Sequence, residues 1–168
     1  MANWKMPPKA KVYEALSAVA DDRVAMLTPT RAAVKSSSGE KNYTVEWAED
    51  FSHITSNDNA SFWQGYVGYP IIAVLLATGR LSYNRSLVGR LAGVPWKKIN
   101  DQFKRDYQKA VDSVLDEVSK KGGDRAALVA DVDAIYIALR DLNLQRSEQR
   151  KRPPIPKQAS GQLDLPTS

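Results

Sequence analysis

The sequence contains no cysteine and only one histidine, His53. Without cysteine, disulfide bonds and metal sites with thiolate ligands are excluded. Zinc and related ions usually need several His or Cys ligands, so a single histidine removes most other metal sites as well. A magnesium or calcium site built from carboxylates stays open, but no motif supports one. We therefore expect neither a metal nor another cofactor.

Long apolar stretches are absent too. The longest apolar run, residues 69–78, is far shorter than the roughly 20 residues that a membrane-spanning helix needs. Residues 1–6 lack the basic-then-apolar pattern of a signal peptide. These observations predict a cytoplasmic protein without membrane contacts.

Catalytic signatures are also missing. The sequence has no phosphate-binding loop, no dinucleotide-binding glycine motif, no nucleophile elbow and no zinc-protease motif. His53 with Asp50 or Asp58 could supply a base and its orienting carboxylate, but a lone histidine on a predicted strand is more typical of a half-exposed sheet residue. The sequence therefore favours a non-enzymatic protein, and we assign no catalytic residue.

The positive charge is concentrated near the C-terminus. The 168 residues carry a net charge of +5. Residues 146–168 hold two acidic and five basic side chains, so this segment contributes +3 and the other 145 residues only +2. The five basic residues are Arg146, Arg150, Lys151, Arg152 and Lys157. This pattern predicts that attraction to polyanions lies in the tail, although a basic tail can also serve solubility alone.

Hydrophobic periodicity predicts one α+β domain over residues 1–145, followed by a disordered, proline-containing basic tail over 146–168. Short runs separated by turn residues indicate a small antiparallel β-meander, with Tyr43, Val45 and Trp47 on its buried face. The predicted strands are residues 23–28, 31–36, 42–48 and 51–55.

Helices are predicted on both sides of this meander. An amphipathic helix over 9–20 precedes it, a buried apolar helix over 70–79 follows it, and residues 84–91 form a short helix. Apolar residues spaced three and four positions apart then predict one long helix from Trp96 to Val118 and a last helix that Asp124 caps. We expect these two helices to form an antiparallel hairpin packed on the sheet.

Residues 12–77 resemble a SWIM domain in layout, with a helix, a meander, a ligand loop and a second helix. Members of that family carry a Cys-x-Cys pair on the last strand and a Cys-x-His pair opening the helix. Alignment places Ile54 and Ser56 at the first two ligand positions and Gly68 and Pro70 at the other two. The resemblance implies a degenerate, zinc-free relative, with residues 84–145 as an added helical part. It also implies nucleic-acid or protein binding.

Four aromatic residues, Phe62, Trp63, Tyr66 and Tyr69, fall in or beside the loop that follows the meander. They could fix this loop by burial in place of zinc, or Trp63 and Tyr66 could stack on bases. Because no basic residue lies between Lys41 and Arg80, the sequence favours burial.

The C-terminal tail contains Gln162, Leu163, Asp164, Leu165 and Pro166 in succession. This stretch resembles the bacterial sliding-clamp-binding motif, in which a glutamine fixes register and leucines enter apolar pockets. The resemblance implies a non-enzymatic accessory protein of DNA replication or repair. Such a protein is recruited to the DNA polymerase sliding clamp and is nucleoid-associated.

The alternative is a DNA- or RNA-binding module without clamp binding, which uses the aromatic loop 57–69 and basic residues. Under either hypothesis the candidate nucleic-acid contacts are the five basic tail residues together with Trp63 and Tyr66. The oligomeric state, the pathway served, and a bacterial or phage origin stay open.

Overall fold

The computed structural model describes residues 2–147 and 150–155. Its central sheet has four antiparallel strands in sequential order, which confirms the predicted meander and the α+β class. Tyr43, Val45 and Trp47 are buried on one face of the third of these strands, as their alternation predicts. The strands are β2 (Val24–Thr28), β3 (Arg31–Lys35), β4 (Asn42–Trp47) and β5 (Ile54–Ser56).

The last strand is shorter than predicted. Residues 51–53 form a turn rather than a strand, because Phe51 has a left-handed φ of 55° and its amide donates to the Ala48 carbonyl. The Ser52 amide donates to Asp50 Oδ1 at 2.9 Å, a local bond typical of turns. Only Ile54–Ser56 then pairs with β4.

Two buried helices lie beside the sheet. Helix α2 (Tyr69–Ala77) is apolar throughout and contacts all four strands. Helix α1 (Ala10–Ala20) packs on α2, and its residues 10–18 are all buried. Both helices match their predictions. Pro70 lies in the first turn of α2, where a missing N–H leaves no hydrogen bond unmade.

The predicted long helix from Trp96 to Val118 is wrong, because the structure has two helices there, α4 (Trp96–Gln102) and α5 (Tyr107–Lys120). Lys104 and Arg105 adopt left-handed φ values of 52° and 65°, which end the first helix. Asp106 then caps the second by accepting from the Lys109 amide at 3.2 Å.

The helical hairpin is present, but its packing partner is not the one predicted. Helix α5 and helix α6 (Arg125–Asp141) pack together, and both contact α1 rather than covering the sheet. The reason is that α2 already occupies the sheet and α1 lies over α2. Asp124 caps α6 as predicted, accepting from the Ala127 amide at 3.0 Å. Between α2 and α4 come a short helix α3 (Arg85–Val88) and the 3₁₀ turn Gly89–Leu91.

The two ends of the described domain meet in a second small sheet. Strand β1 (Ala2–Asn3) pairs antiparallel with β6 (Gln145–Arg146), and the Trp4 amide donates to the Leu144 carbonyl. Arg146, which the sequence prediction placed in the tail, therefore belongs to a strand and pairs with Ala2. No helix within the described ranges is long and apolar enough to cross a bilayer.

Candidate ligand-binding cleft

A cleft of about 800 Å³ opens beside α1. Its floor is α1 together with α4 and the start of α5. One wall is the loop 36–41 that joins β3 to β4, and the other is the segment 58–69. Pockets of this volume hold small molecules or short pieces of polymers.

The floor carries a polar stripe on an otherwise apolar helix. Lys11, Glu14 and Ser17 follow one another at steps of three on α1, so they share one face, and all three are buried. Lys11 Nζ lies 2.9 Å from Glu14 Oε2. Asn100 Nδ2 donates to Glu14 Oε1 at 3.3 Å, and Trp96 Nε1 donates to Ser17 Oγ at 2.8 Å. Glu14 Oε2 and Asn100 Oδ1 are nevertheless buried without a hydrogen-bond partner among the described residues.

The pairing keeps Lys11 charged. Burial by itself would lower the pKa of Lys11, but the adjacent Glu14 carboxylate outweighs that effect and raises the pKa above its usual value. Lys11 Nζ also lies 4.6 Å from the centre of the Tyr107 ring, a distance at which the ring face attracts a cation. The floor therefore presents an ammonium group at neutral pH.

Arg23 brings a second buried cation to the cleft. Its side chain is 9% exposed, and Nη1 donates to the Lys35 carbonyl at 2.8 Å. Nε lies 3.6 Å from Asp21 Oδ2, which is too long for a hydrogen bond, and Nη2 has no hydrogen-bond partner among the described residues. A buried N–H that lacks a partner costs about 1–3 kcal/mol.

Four tyrosines, Tyr43, Tyr66, Tyr69 and Tyr107, also line the cleft. No described residue hydrogen-bonds to any of their hydroxyls. Burial raises the pKa of Tyr43 to about 12, and it also raises the pKa of Tyr66 and of Tyr69. These three hydroxyls are thus protonated at neutral pH and can donate hydrogen bonds to a ligand.

Asp58 holds the 58–69 wall in place. This buried carboxylate accepts from the Ser61 amide at 3.0 Å and from Ser61 Oγ at 2.6 Å. The bonds stabilise a π-helical turn, Ala60–Gln64. Gly68 approaches the same carboxylate so closely that a Cβ there would lie 2.2 Å from Asp58 Oδ1. The wall is therefore set by polar contacts and by a close backbone approach.

Trp63 projects from this wall and is 68% exposed at the edge of the cleft. Its ring makes an edge contact with Phe62, at 4.6 Å between centroids. The prediction that aromatic burial fixes the loop is therefore wrong for Trp63. Tyr66 and Tyr69 are partly buried.

Folding supplies the basic neighbours that the sequence around Trp63 lacks. Lys41, Lys97 and Arg105 all line the same cleft, although they are distant from Trp63 in the chain. Lys97 is paired with Asp101 at 3.0 Å, whereas Lys41 and Arg105 make no ion pair with a described residue. Counting Lys11 and Arg23, the lining has five basic and four acidic side chains.

The predicted tail contacts lie elsewhere. The Arg146 guanidinium is 5.9 Å from the Trp4 ring centre, and Lys151 Nζ pairs with Glu46 Oε2 at 2.9 Å. Arg150 and Arg152 belong to the described segment 150–155, which does not line the cleft. Lys157 and the clamp-like residues Gln162 to Pro166 lie outside the described residues.

Two other groups of residues were candidates from the sequence. His53 Nδ1 is buried without a hydrogen-bond partner among the described residues, Asp50 and Asp58 accept from Ser52 and Ser61 instead, and His53 does not line the cleft. Among the described residues no cluster of three or more His, Asp or Glu side chains could hold a metal ion. The SWIM-like ligand positions Ile54, Ser56, Gly68 and Pro70 are all buried, and that resemblance stays a prediction.

The fold and the cleft together define an α+β protein with a donor-rich pocket beside a buried helix. A family model matches residues 4–145, and the chain belongs to that family, described as uncharacterised conserved protein UCP014422. The matched range contains every residue that lines the cleft. No curated protein and no solved structure matches the chain.

Proposed function

We propose that the chain is a non-catalytic module that binds a short single-stranded piece of nucleic acid in this cleft. The observation that carries the proposal is that one cleft is lined both by the exposed Trp63 ring and by basic side chains without an ion pair. Proteins that bind single strands combine an aromatic surface for the bases with cations for the backbone. Trp63 supplies the first element, and Lys41 with Arg105 supplies the second.

The size and charge of the cleft favour a short ligand. About 800 Å³ accommodates one or two nucleotides, and the lining has only one positive charge in excess. A long polyanion would be better matched by a continuous basic groove. The polar groups of Glu14 and Asn100, on the floor, suit hydrogen bonds to the edge of a base.

The buried lysine and the tyrosines of the lining suit binding rather than proton abstraction. A general base must be deprotonated near neutral pH. Lys11 and the buried tyrosines have raised pKa values, so they hold their protons under those conditions. They act as hydrogen-bond donors and, in the case of Lys11, as a positive charge.

Isothermal titration calorimetry with a tetrathymidylate that ends in hydroxyl groups tests this proposal. We expect measurable binding at low salt that Trp63→Ala weakens by about 5- to 150-fold, the effect of one lost base stack of 1–3 kcal/mol. Leu27→Ala is the matched control, because Leu27 is 56% exposed on β2 and does not line the cleft. No heat of binding at low salt, or equal losses for the two variants, would contradict the proposal.

The same titrations, repeated at several salt concentrations, give a second test of the proposal. For one or two phosphate contacts, the logarithm of the binding constant should fall against the logarithm of salt concentration with a slope of roughly −1. Lys41→Gln should reduce that slope, whereas Lys121→Gln, an exposed lysine outside the cleft, should leave it unchanged. A slope several times steeper would indicate a different and more extended surface.

We propose as a second function that the tail recruits the domain to a bacterial sliding clamp. The support is the motif Gln162 to Pro166, with leucines at positions 163 and 165. Lys151 contacts Glu46, and the ten residues from 152 to 161 could span at most about 35 Å from that point to the motif. On this proposal the domain would be carried close to the ring.

A peptide of residues 157–168 tests the recruitment proposal. It should bind purified bacterial clamp, and the full chain should lose clamp binding when Leu163→Ala and Leu165→Ala are combined. The same double variant should bind the tetrathymidylate normally, because it changes none of the described residues that line the cleft. Clamp affinity that the double substitution leaves unchanged would dismiss recruitment without affecting the cleft.

A further inference from the structure

We infer that the part of the cleft formed by Arg23, Tyr43 and Tyr69 is a site for a phosphate monoester. The inference rests on the proposed function, since it concerns the same cleft and names the group that the cleft would hold there. The ligand is then the phosphorylated end of a strand or a free nucleotide, with its base near Trp63. Both sources share one chemistry, a terminal phosphate attached to a nucleoside.

The pattern of pairing inside the cleft singles out Arg23. Glu14 is already matched by the Lys11 ammonium at 2.9 Å and by Asn100. Asp58 accepts two hydrogen bonds from Ser61. Arg23, by contrast, has its nearest carboxylate oxygen, Asp21 Oδ2, at 3.6 Å and makes only one hydrogen bond with a described residue, to the Lys35 carbonyl. Arg23 is therefore the buried cation of the cleft whose N–H groups are left without acceptors, and such groups suit an oxyanion.

The tyrosine hydroxyls add neutral donors beside that charge. The rings of Tyr43 and Tyr69 meet edge to face at 6.2 Å between centroids, which keeps the two side chains together. Arg23 lines the same cleft as both rings. Since neither hydroxyl donates to a described residue, both are available to a ligand.

A phosphate monoester fits these donors better than a diester does. It offers three terminal oxygens and about −1.5 to −2 charges at neutral pH, whereas a backbone diester offers two such oxygens and one charge. An arginine with Nε and Nη2 both free can bind two oxygens through parallel hydrogen bonds. In Arg23 these two atoms are covered by neighbouring atoms, so the proposal includes a small rotation of the guanidinium when phosphate enters.

The test compares ligands that differ only in the terminal phosphate. Calorimetry would be run with tetrathymidylate carrying hydroxyl ends, a 5′-phosphate or a 3′-phosphate, and with thymidine monophosphate and inorganic phosphate. We expect at least a tenfold gain from one of the two terminal phosphates and competition by inorganic phosphate. Equal affinity for all three oligomers would overturn the inference, while binding of the hydroxyl-ended oligomer through Trp63 would leave the proposed function standing.

Variants locate the site. Tyr69→Phe and Tyr43→Phe should each remove at least threefold of the phosphate preference while leaving the thermal midpoint unchanged, because these hydroxyls have no protein partner. Arg23→Lys should remove most of it, since lysine keeps the charge but loses the paired donors. Tyr83→Phe is the matched control outside the cleft. If Arg23→Lys unfolds the chain, the two phenylalanine variants decide the question.

The remaining outcomes are also decisive. A phosphate preference that survives all three cleft variants would overturn the assignment to these residues. Binding of thymidine monophosphate and phosphate without any binding of the hydroxyl-ended oligomer would support the phosphate site. That result would remove single-strand binding as the function and leave a nucleotide as the ligand.

Discussion

Helices α1 and α2 are both buried, yet they are built from different residues. Seven residues of α2, from Pro70 to Leu76, are buried, and every one of them is apolar. Helix α1 is buried over nine residues, and three of them are Lys11, Glu14 and Ser17. Ionised groups inside a protein seldom improve stability over apolar residues of similar size. The comparison indicates that α2 after Tyr69 serves the core, while the buried part of α1 also presents charged groups to the cleft.

The largest effect should come from breaking the ion pair of α1. Lys11→Met leaves the Glu14 carboxylate buried without its partner, which should lower the free energy of unfolding by about 3–5 kcal/mol. Combining Lys11→Met with Glu14→Leu should recover most of this loss, since no unpaired charge then remains. Urea unfolding of the two variants measures both values. Equal destabilisation by the single and the double substitution would show that the pair is not coupled.

The second largest effect should be a loss of folding stability at alkaline pH. The folded protein has raised pKa values for Lys11 and Tyr43, so it holds these protons more tightly than the unfolded chain does. Their contribution to stability is complete below about pH 10 and is lost as pH rises through the folded-state values. For Tyr43, with a pKa of about 12, the loss should reach on the order of 2 kcal/mol by pH 12.

The variant Tyr43→Phe isolates that effect. The free energy of unfolding of this variant should fall less steeply above pH 10 than that of the unmodified chain. The reason is that the variant has no Tyr43 hydroxyl to lose a proton. Tyr83→Phe, which lies outside the cleft, should keep the full slope. Unfolding midpoints in urea at pH 8 and pH 11 give the comparison, and identical slopes for the Tyr43→Phe variant and the unmodified chain would contradict it.

The smallest effect should come from trimming the apolar helix. Ile72→Val removes one buried methyl group from α2 and should cost about 0.5–1.5 kcal/mol. Because Ile72 does not line the cleft, binding of the tetrathymidylate should not change. A loss of ligand affinity in this variant, beyond the experimental scatter, would show that the buried part of α2 also affects the cleft.

Local pattern predicted much of the fold. Alternation of Tyr43, Val45 and Trp47 predicted a strand with one buried face, and the run after Pro70 predicted a buried helix. The sequence pattern does not reveal the break between α4 and α5 near Lys104. Phe103 and Tyr107, on either side of it, are four residues apart, which is the spacing of a continuous helix. Only the capping carboxylate of Asp106 gave a sign that a new helix begins there.

The cleft was not predictable in the same way. Its residues range from Pro8 to Tyr107 and belong to separate elements, so no local motif contains them. The basic neighbours of Trp63 come from a hairpin loop and from residues 97–105, which sequence distance alone placed out of reach. One signal was available: Lys11 and Glu14 lie three residues apart in a helix whose other positions are mostly apolar.

We propose that the buried charges of α1 serve a ligand rather than the fold. Calorimetric titration of the Lys11→Met, Glu14→Leu double variant with hydroxyl-ended tetrathymidylate tests it most directly, with Ile72→Val as the structural control. The account predicts a folded double variant that binds at least tenfold more weakly, and a control that binds normally. A double variant that folds and binds as tightly as the unmodified chain would contradict the account.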